Sequence, residues 1–279
     1  MSEQFELSTL PADFDELRRT TYHPPKLSFF DKLAAFFLCD KSNSQDLDDT
    51  DRAIATYISS ECSVHFDPKN ASHVKLFAEL HSLAFGKQAP NPLKSDSWTR
   101  FGFQSNKPEA DIRSGGLLSV EVLHHIAREY PDFVGEVLQH IDTVGNYFFA
   151  CSVISSTFFI KQYFSFGEKW NGGQCPSGSK MPHKDNLKLL LSLMRRDSNN
   201  KQDYKKLFIS LVAVYAIRLF DHWKLLEDEN PLIVVSFTQV MTEFESSFHK
   251  FMKQNARNPP SNFAELIYGL KLKRFHIKV

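Results

Sequence analysis

The chain has little cysteine and no framework built from it. Cys39, Cys62, Cys151 and Cys175 stand far apart with no C-x-x-C pair, which fits reduced thiols and excludes a disulfide scaffold or a cysteine zinc site. Charge of one sign is not in excess either: 33 Lys and Arg face 33 Asp and Glu. No global field draws nucleic acid or anionic lipid, so nucleic acid is not an expected partner. The N-terminus, MSEQFELSTLPADFDEL, is acidic and lacks a basic-then-apolar signal, and Ser2 in place of glycine excludes myristoylation. Long apolar runs are missing too. The most apolar one, residues 147–160, is shorter than a bilayer-spanning helix requires and is followed by Lys161, so it reads as a core helix and no transmembrane segment is expected.

Signals for independent catalysis are equally scarce. No Ser-His-Asp set or carboxylate pair can be singled out. His124 and His125 are adjacent, so on a helix they point different ways and cannot form the i, i+4 pair of a zinc site. Gly173 and Gly178 have the spacing of a phosphate-binding loop, yet Ser179-Lys180 reverses the required order and no strand precedes them. Asp48, Asp49 and Asp51 suit the first turn of a helix through Ile58 better than a calcium loop, which needs a glycine and a distal glutamate. Asn70-Ala71-Ser72 is a glycosylation sequon that a cytoplasmic chain would not use. Neither a metal nor a cofactor of its own is expected.

What the sequence does contain is helical period. His73, Leu76, Phe77, Leu80, Leu83 and Ala84 fall three and four apart, as do Leu123, Ile126, Ala127 and Tyr130. So do Phe208, Leu211, Val212, Tyr215, Leu219 and Trp223, and the set Phe237, Val240, Met241, Phe244, Phe248, Phe251 and Met252. No alternating strands or fixed-period repeats accompany them. Pro131 and Pro231 each fit the first position of a helix. An all-α, single multi-helix globular domain is therefore expected, and 279 residues with 26 phenylalanines can fill a sizeable core. Residues 1–44 read as an N-terminal extension, with His23-Pro24-Pro25 ending a polar strap and residues 27–39 forming a short amphipathic helix. Residues 45–255 read as the domain and 256–279 as a C-terminal segment. The stretch 167–185, rich in Gly, Pro and Ser, reads as a mobile surface loop.

Residues 98–130, WTRFGFQSNKPEADIRSGGLLSVEVLHHIAREY, are the most informative. Here a loop delivers Arg113 directly before an amphipathic helix, where the exposed N–H groups favour anions over a guanidinium. Two readings follow. In one, Arg113 meets an incoming anion, with Gly115 and Gly116 letting a partner's backbone approach; in the other it pairs with Asp111 or Glu109 and ties the loop to itself. Arg100, on a short helix ahead of the turn, is a weaker candidate of the same kind. Trp98, Phe103, Leu117 and Leu118 read as packing residues that brace the loop.

The same segment resembles the signature of the ELMO domain family: tryptophan, then Gly-Phe-Gln, then Pro, Asp and Arg, then a glycine pair and a leucine-rich helix. The matching positions are Trp98, Gly102, Phe103, Gln104, Pro108, Asp111, Arg113, Gly116, Leu117, Leu118 and Leu123. Residues 66–85 are similar to the family's Asp-Pro helix, and residues 207–241, with Phe220, Asp221, Trp223, Phe237 and Val240, resemble its Phe-Asp-x-x-Trp helix and the one after it. Two positions depart from the pattern: Ser114 stands where the family usually has glycine and Ala110 where it has threonine. The resemblance implies one of two functions. Stand-alone members of about this length resemble GTPase-activating proteins for Arf-family small GTPases, with the signature arginine as the catalytic residue; that role falls on Arg113, with Gln104, Asp111, Ser114, Gly115 and Gly116 shaping the loop and contacting the partner. GTP and Mg²⁺ would then belong to the GTPase. Longer members are scaffolds with additional modules, for which this length leaves no room, and a non-catalytic adaptor linked to small-GTPase or cytoskeletal regulation is the competing expectation, with membrane-associated partners as a further one. Either function places the protein in the cytoplasm.

Overall fold

The computed structural model describes residues 47–145, 147–166, 184–198, 200–229 and 237–272. The expected strap, the helix at 27–39, Pro231 and most of the expected loop at 167–185 lie outside the described residues. Within them run ten α-helices and no strand: α1 (Asp49–Cys62), α2 (Ala71–Phe85), α3 (Ser97–Arg100), α4 (Gly116–Glu129), α5 (Pro131–Val144), α6 (Phe149–Tyr163), α7 (Lys184–Asp197), α8 (Lys201–Glu229), α9 (Phe237–Arg257) and α10 (Phe263–Leu272). The all-α expectation holds.

Local chemistry sets the helix ends. Asp48 caps α1 by accepting the Asp51 N–H at 2.7 Å, with Asp49 and Asp51 in the first turn, as their acidic character predicts. Asn70 caps α2 in the same way through the Ser72 N–H, and Gly86, at φ +68°, closes that helix in the left-handed conformation that glycine adopts most cheaply. Pro131 opens α5 at the position where its missing N–H costs nothing. Lys184 and Asp185, expected at the end of the loop, belong to α7.

The 29-residue α8 is the spine. Phe208, Leu211, Val212, Tyr215, Leu219 and Trp223 are all buried on it, and so are Ala213, Val214, Ala216 and Phe220, so the helix is covered nearly all round. It packs against α1, α4, α6, α9 and α10. Val240, Met241, Phe244, Phe248, Phe251 and Met252 of α9 form one buried face. On α2 one expected residue changes place: Leu83 is 41% exposed while His81 is buried. The helical period explains this, since His81 lies close in angle to Phe77 and Ala84 whereas Leu83 sits at the rim of the stripe. Helix α10, beyond the expected domain end at residue 255, buries Phe263, Leu266 and Leu270 and packs against α7 and α8. Lys205 of α8 joins three helices by meeting Glu61 of α1 at 2.8 Å and Glu121 of α4 at 2.7 Å. No described helix is long and apolar enough to cross a membrane.

Candidate functional site

The signature segment is built around Trp98. The indole is fully buried and donates its N–H to the Pro92 carbonyl at 2.9 Å. Phe77, His81 and Phe103 meet it edge-on at 5.6, 5.2 and 5.5 Å between centroids, and Phe101 passes the cluster on to Phe149 of α6 at 5.4 Å. Edge-to-face aromatic pairs add about 0.5–1.5 kcal/mol each beyond the area they bury. Of the four expected bracing residues, Trp98, Phe103 and Leu118 are buried and Leu117 is half-buried, and Pro108 is buried at the start of a short 3₁₀ turn (Pro108–Ala110).

Gly102 fixes how the segment meets α6. Its φ is +89°, and a Cβ there would lie 2.2 Å from the Phe149 nitrogen. Such an approach allows no side chain. It lets the Phe101 carbonyl accept the Ala150 N–H at 3.1 Å and the Gly102 carbonyl accept the Cys151 N–H at 3.2 Å. These are N–H groups of the first turn of α6, which have no partner within their own helix. The signature loop is the cap of α6.

The turn that bears Arg113 is closed from both sides. Asp111 accepts the backbone N–H of Gln104 at 2.8 Å, and the Gly116 N–H donates to the Ile112 carbonyl at 2.7 Å. Ile112 is 2% exposed and pins the turn to the core. With Ile112 directed inward, the next two residues face out: Arg113 and Ser114 are both exposed. Burial raises the Asp111 carboxyl above its usual range, while the Gln104 N–H and the nearby Arg113 charge work against that rise. The aspartate is thus engaged by the loop backbone, and Arg113 makes no hydrogen bond or ion pair with any described residue. Self-pairing of Arg113 with Asp111 or Glu109, one of the two readings of the sequence, is absent among the described residues.

Gly115 and Gly116 act differently from their expected role. Both are buried. A Cβ on Gly115 would meet the Ser119 side chain at 2.5 Å, and one on Gly116, whose φ is +65°, would lie 2.7 Å from the Val64 carbonyl. That carbonyl accepts the Leu117 N–H at 2.9 Å. The close approach they permit is therefore made from within this chain, by the Ser119 side chain at Gly115 and the Val64 backbone at Gly116. Helix α4 begins with no side-chain cap and no acidic residue in its first turn, only backbone carbonyls accepting its first N–H groups, and Arg113 stands beside it.

The other candidates are engaged elsewhere. Arg100, at the end of α3, holds Asp142 of α5 through two hydrogen bonds, Nε–Oδ1 at 2.8 Å and a second from its terminal nitrogen to Oδ2. His124 reaches Glu79 of α2 at 3.3 Å and His125 reaches Ser210 of α8 at 3.4 Å, so the adjacent histidines diverge, and burial lowers both from the usual range. No cluster of metal-binding side chains occurs among the described residues. Sequence reasoning missed Cys151. Its thiol sits against Gln104 and, through burial first and the nearby Asp111 charge second, is pushed up to about 12; it is a neutral wall of the site and not a nucleophile. Only the contact itself reveals it, since 47 residues separate it from Gln104 in sequence.

The ELMO/CED-12 family pattern matches residues 56–258, which include every part of this site. The chain belongs to the ELMO/CED-12 family. It is similar to ELMO domain-containing protein C of Dictyostelium discoideum, 27% identical over 150 residues, an alignment covering 54% of this chain and 23% of that relative. The chain thus matches less than a quarter of that relative's length. No solved structure matches it. Within the matched range, Trp98, Gly102, Phe103 and Pro108 pack the segment that leads to the arginine turn against α6 and the core.

Proposed function

We propose that this ELMO-family protein is a GTPase-activating protein for Arf-family small GTPases and that Arg113 is its catalytic residue. The partner supplies GTP and Mg²⁺; the activator inserts a guanidinium that stabilises charge developing on the transferring phosphoryl group. Such a residue is worth about 10³ to 10⁵ in rate, or roughly 4–7 kcal/mol of barrier, so one side chain can carry almost the whole activity. The observation that supports this role is an exposed arginine without a hydrogen-bond or ion-pair partner among the described residues, standing on a turn whose backbone is held by Asp111, Ile112 and Gly116. Family membership supports the choice of a small GTPase as partner.

A second reading, a non-catalytic adaptor that docks a GTPase or a cytoskeletal partner through the same surface, draws on Ser114. Its side chain is exposed directly beside Arg113, where the family usually has glycine, and adds bulk next to the residue that would enter a nucleotide pocket. Single-turnover GTP hydrolysis against a panel of Arf-family and Rho-family GTPases separates the two. The activating reading expects acceleration that falls at least about 100-fold in Arg113→Lys, which keeps the charge but loses the planar fork. Wild-type acceleration that survives in Arg113→Lys removes Arg113 from the mechanism, and binding without any acceleration establishes the adaptor.

A further inference from the structure

An arginine that reaches into another protein's nucleotide pocket brings the surface around it into contact with that protein. A stable interface covers about 800 Å² on each partner, a disc roughly 16 Å in radius, far more than one turn can provide. The surface beside the Arg113 turn is the outer side of α6. The turn and the signature loop lie along this helix: Gly102 touches it at Phe148 and Phe149, Gln104 lies against Cys151, and a Cβ on Gly115 would be 3.4 Å from Ile154. At 100° per residue, Phe148, Cys151, Ser155 and Phe158 fall within one stripe, immediately beside the line of Ile154.

This stripe is unusual for a solvated helix face. Phe148 is 45% exposed and Phe158 44%, with Cys151 and Ser155 half-buried between them. It carries no charge. Exposed phenylalanines rimming a functional site are a signature of partner contact, because aromatic side chains are enriched and charged ones depleted at interface centres. The ten helical steps from Phe148 to Phe158 span about 15 Å, which fits inside the footprint of an interface centred on the arginine.

We infer that the outer stripe of α6, anchored by Phe148 and Phe158, is the docking surface for the GTP-loaded small GTPase into which Arg113 reaches. The inference rests on the function proposed above and divides the labour: the stripe supplies affinity, the arginine supplies rate. Because the signature loop caps α6, the two are held in one fixed relation.

The test separates binding from hydrolysis in the full-length chain. Affinity is measured by titration against an Arf-family GTPase loaded with a non-hydrolysable GTP analogue, and KM and kcat are measured with the same GTPase bearing GTP. Phe148→Ser combined with Phe158→Ser weakens binding and raises KM by about tenfold or more while kcat at saturation stays within about two-fold. Ser155→Glu, which sets a charge in the middle of the stripe without removing packing, has the same effect and covers the case in which the double variant folds poorly. Arg113→Lys does the reverse, lowering kcat with little change in binding. Unchanged affinity in both stripe variants overturns the docking surface even if Arg113 proves catalytic. Wild-type binding without acceleration overturns the catalytic role and leaves the stripe to be judged by the same titrations; no binding and no acceleration overturn both.

Discussion

Asp111 and Gln104 are joined by a hydrogen bond from the Gln104 backbone N–H to the Asp111 carboxylate at 2.8 Å, across the base of the loop from which Arg113 projects. The acid beside the arginine accepts from the backbone and makes no ion pair with the exposed guanidinium, though it feels that charge. The bond is exposed, so its loss costs about the net worth of a hydrogen bond, roughly 0.5–1.5 kcal/mol.

Asp111→Ala is therefore expected to destabilise the fold by about 0.5–1.5 kcal/mol and to lower any activity that depends on the turn's geometry. Asp111→Asn keeps an acceptor, and because burial disfavours the charged form it is expected to cost much less. Chemical denaturation of both variants checks this; equal losses would show that charge, not the hydrogen bond, is what the position requires.

Gly102→Ala places a methyl group 2.2 Å from the Phe149 nitrogen at φ +89°, and Gly116→Ala places one 2.7 Å from the Val64 carbonyl at φ +65°. Each is expected to cost about 3 kcal/mol or more, because the neighbour is backbone and cannot rotate away. Gly135→Ala, in open space within α5, is the matching control and is expected to be neutral or slightly stabilising. Thermal melts of the three variants rank them; a mild effect at Gly102 would contradict the close packing of the loop on α6.

Arg100→Ala is expected to remove at most about 1 kcal/mol, since its bond to Asp142 is an exposed ion pair. GTPase activation is expected to stay within about two-fold of wild type, in contrast to Arg113→Lys. A loss as large as that of Arg113→Lys would move the catalytic role to Arg100.

Burial pushes the Glu245 carboxyl of α9 up to about 7 from its ordinary 4.5. With its folded value raised, the folded chain keeps a proton that the unfolded chain gives up, so this group's contribution is fully present below pH 4.5 and is lost as pH rises through 7. Glu245→Gln, neutral at every pH, is expected to melt higher than wild type at pH 8 and level with it near pH 4.5. Melting curves at the two pH values decide, and a difference that does not change with pH would rule out the carboxyl as its source.

Much of this was legible in the amino-acid order. The faces of α4, α8 and α9 follow directly from spacing, because burial on a helix is a matter of angle, and Arg113 could be picked out because a cation before a helix start is electrostatically misplaced. What stayed hidden depends on which atoms approach from where. The glycine pair announces a close approach, but sequence cannot say that the Val64 carbonyl and the Ser119 side chain, not another molecule, make it. Arg100 and Arg113 look alike until Asp142, 42 residues further on, claims one of them. Phe148 and Phe158 read as core because their neighbours are; only the helix position turns these two outward.

The bonds from Ala150 and Cys151 to the Phe101 and Gly102 carbonyls carry one more consequence. Detaching the signature loop would strip the first turn of α6 of its acceptors and open the core beneath Phe149, so the loop backbone is ordered in the unbound chain. Within the loop, the conformational entropy left to lose to any partner is then that of side chains, about 2 kcal/mol at most for Arg113, in place of 1–2 kcal/mol for every residue of a loop that had to order itself.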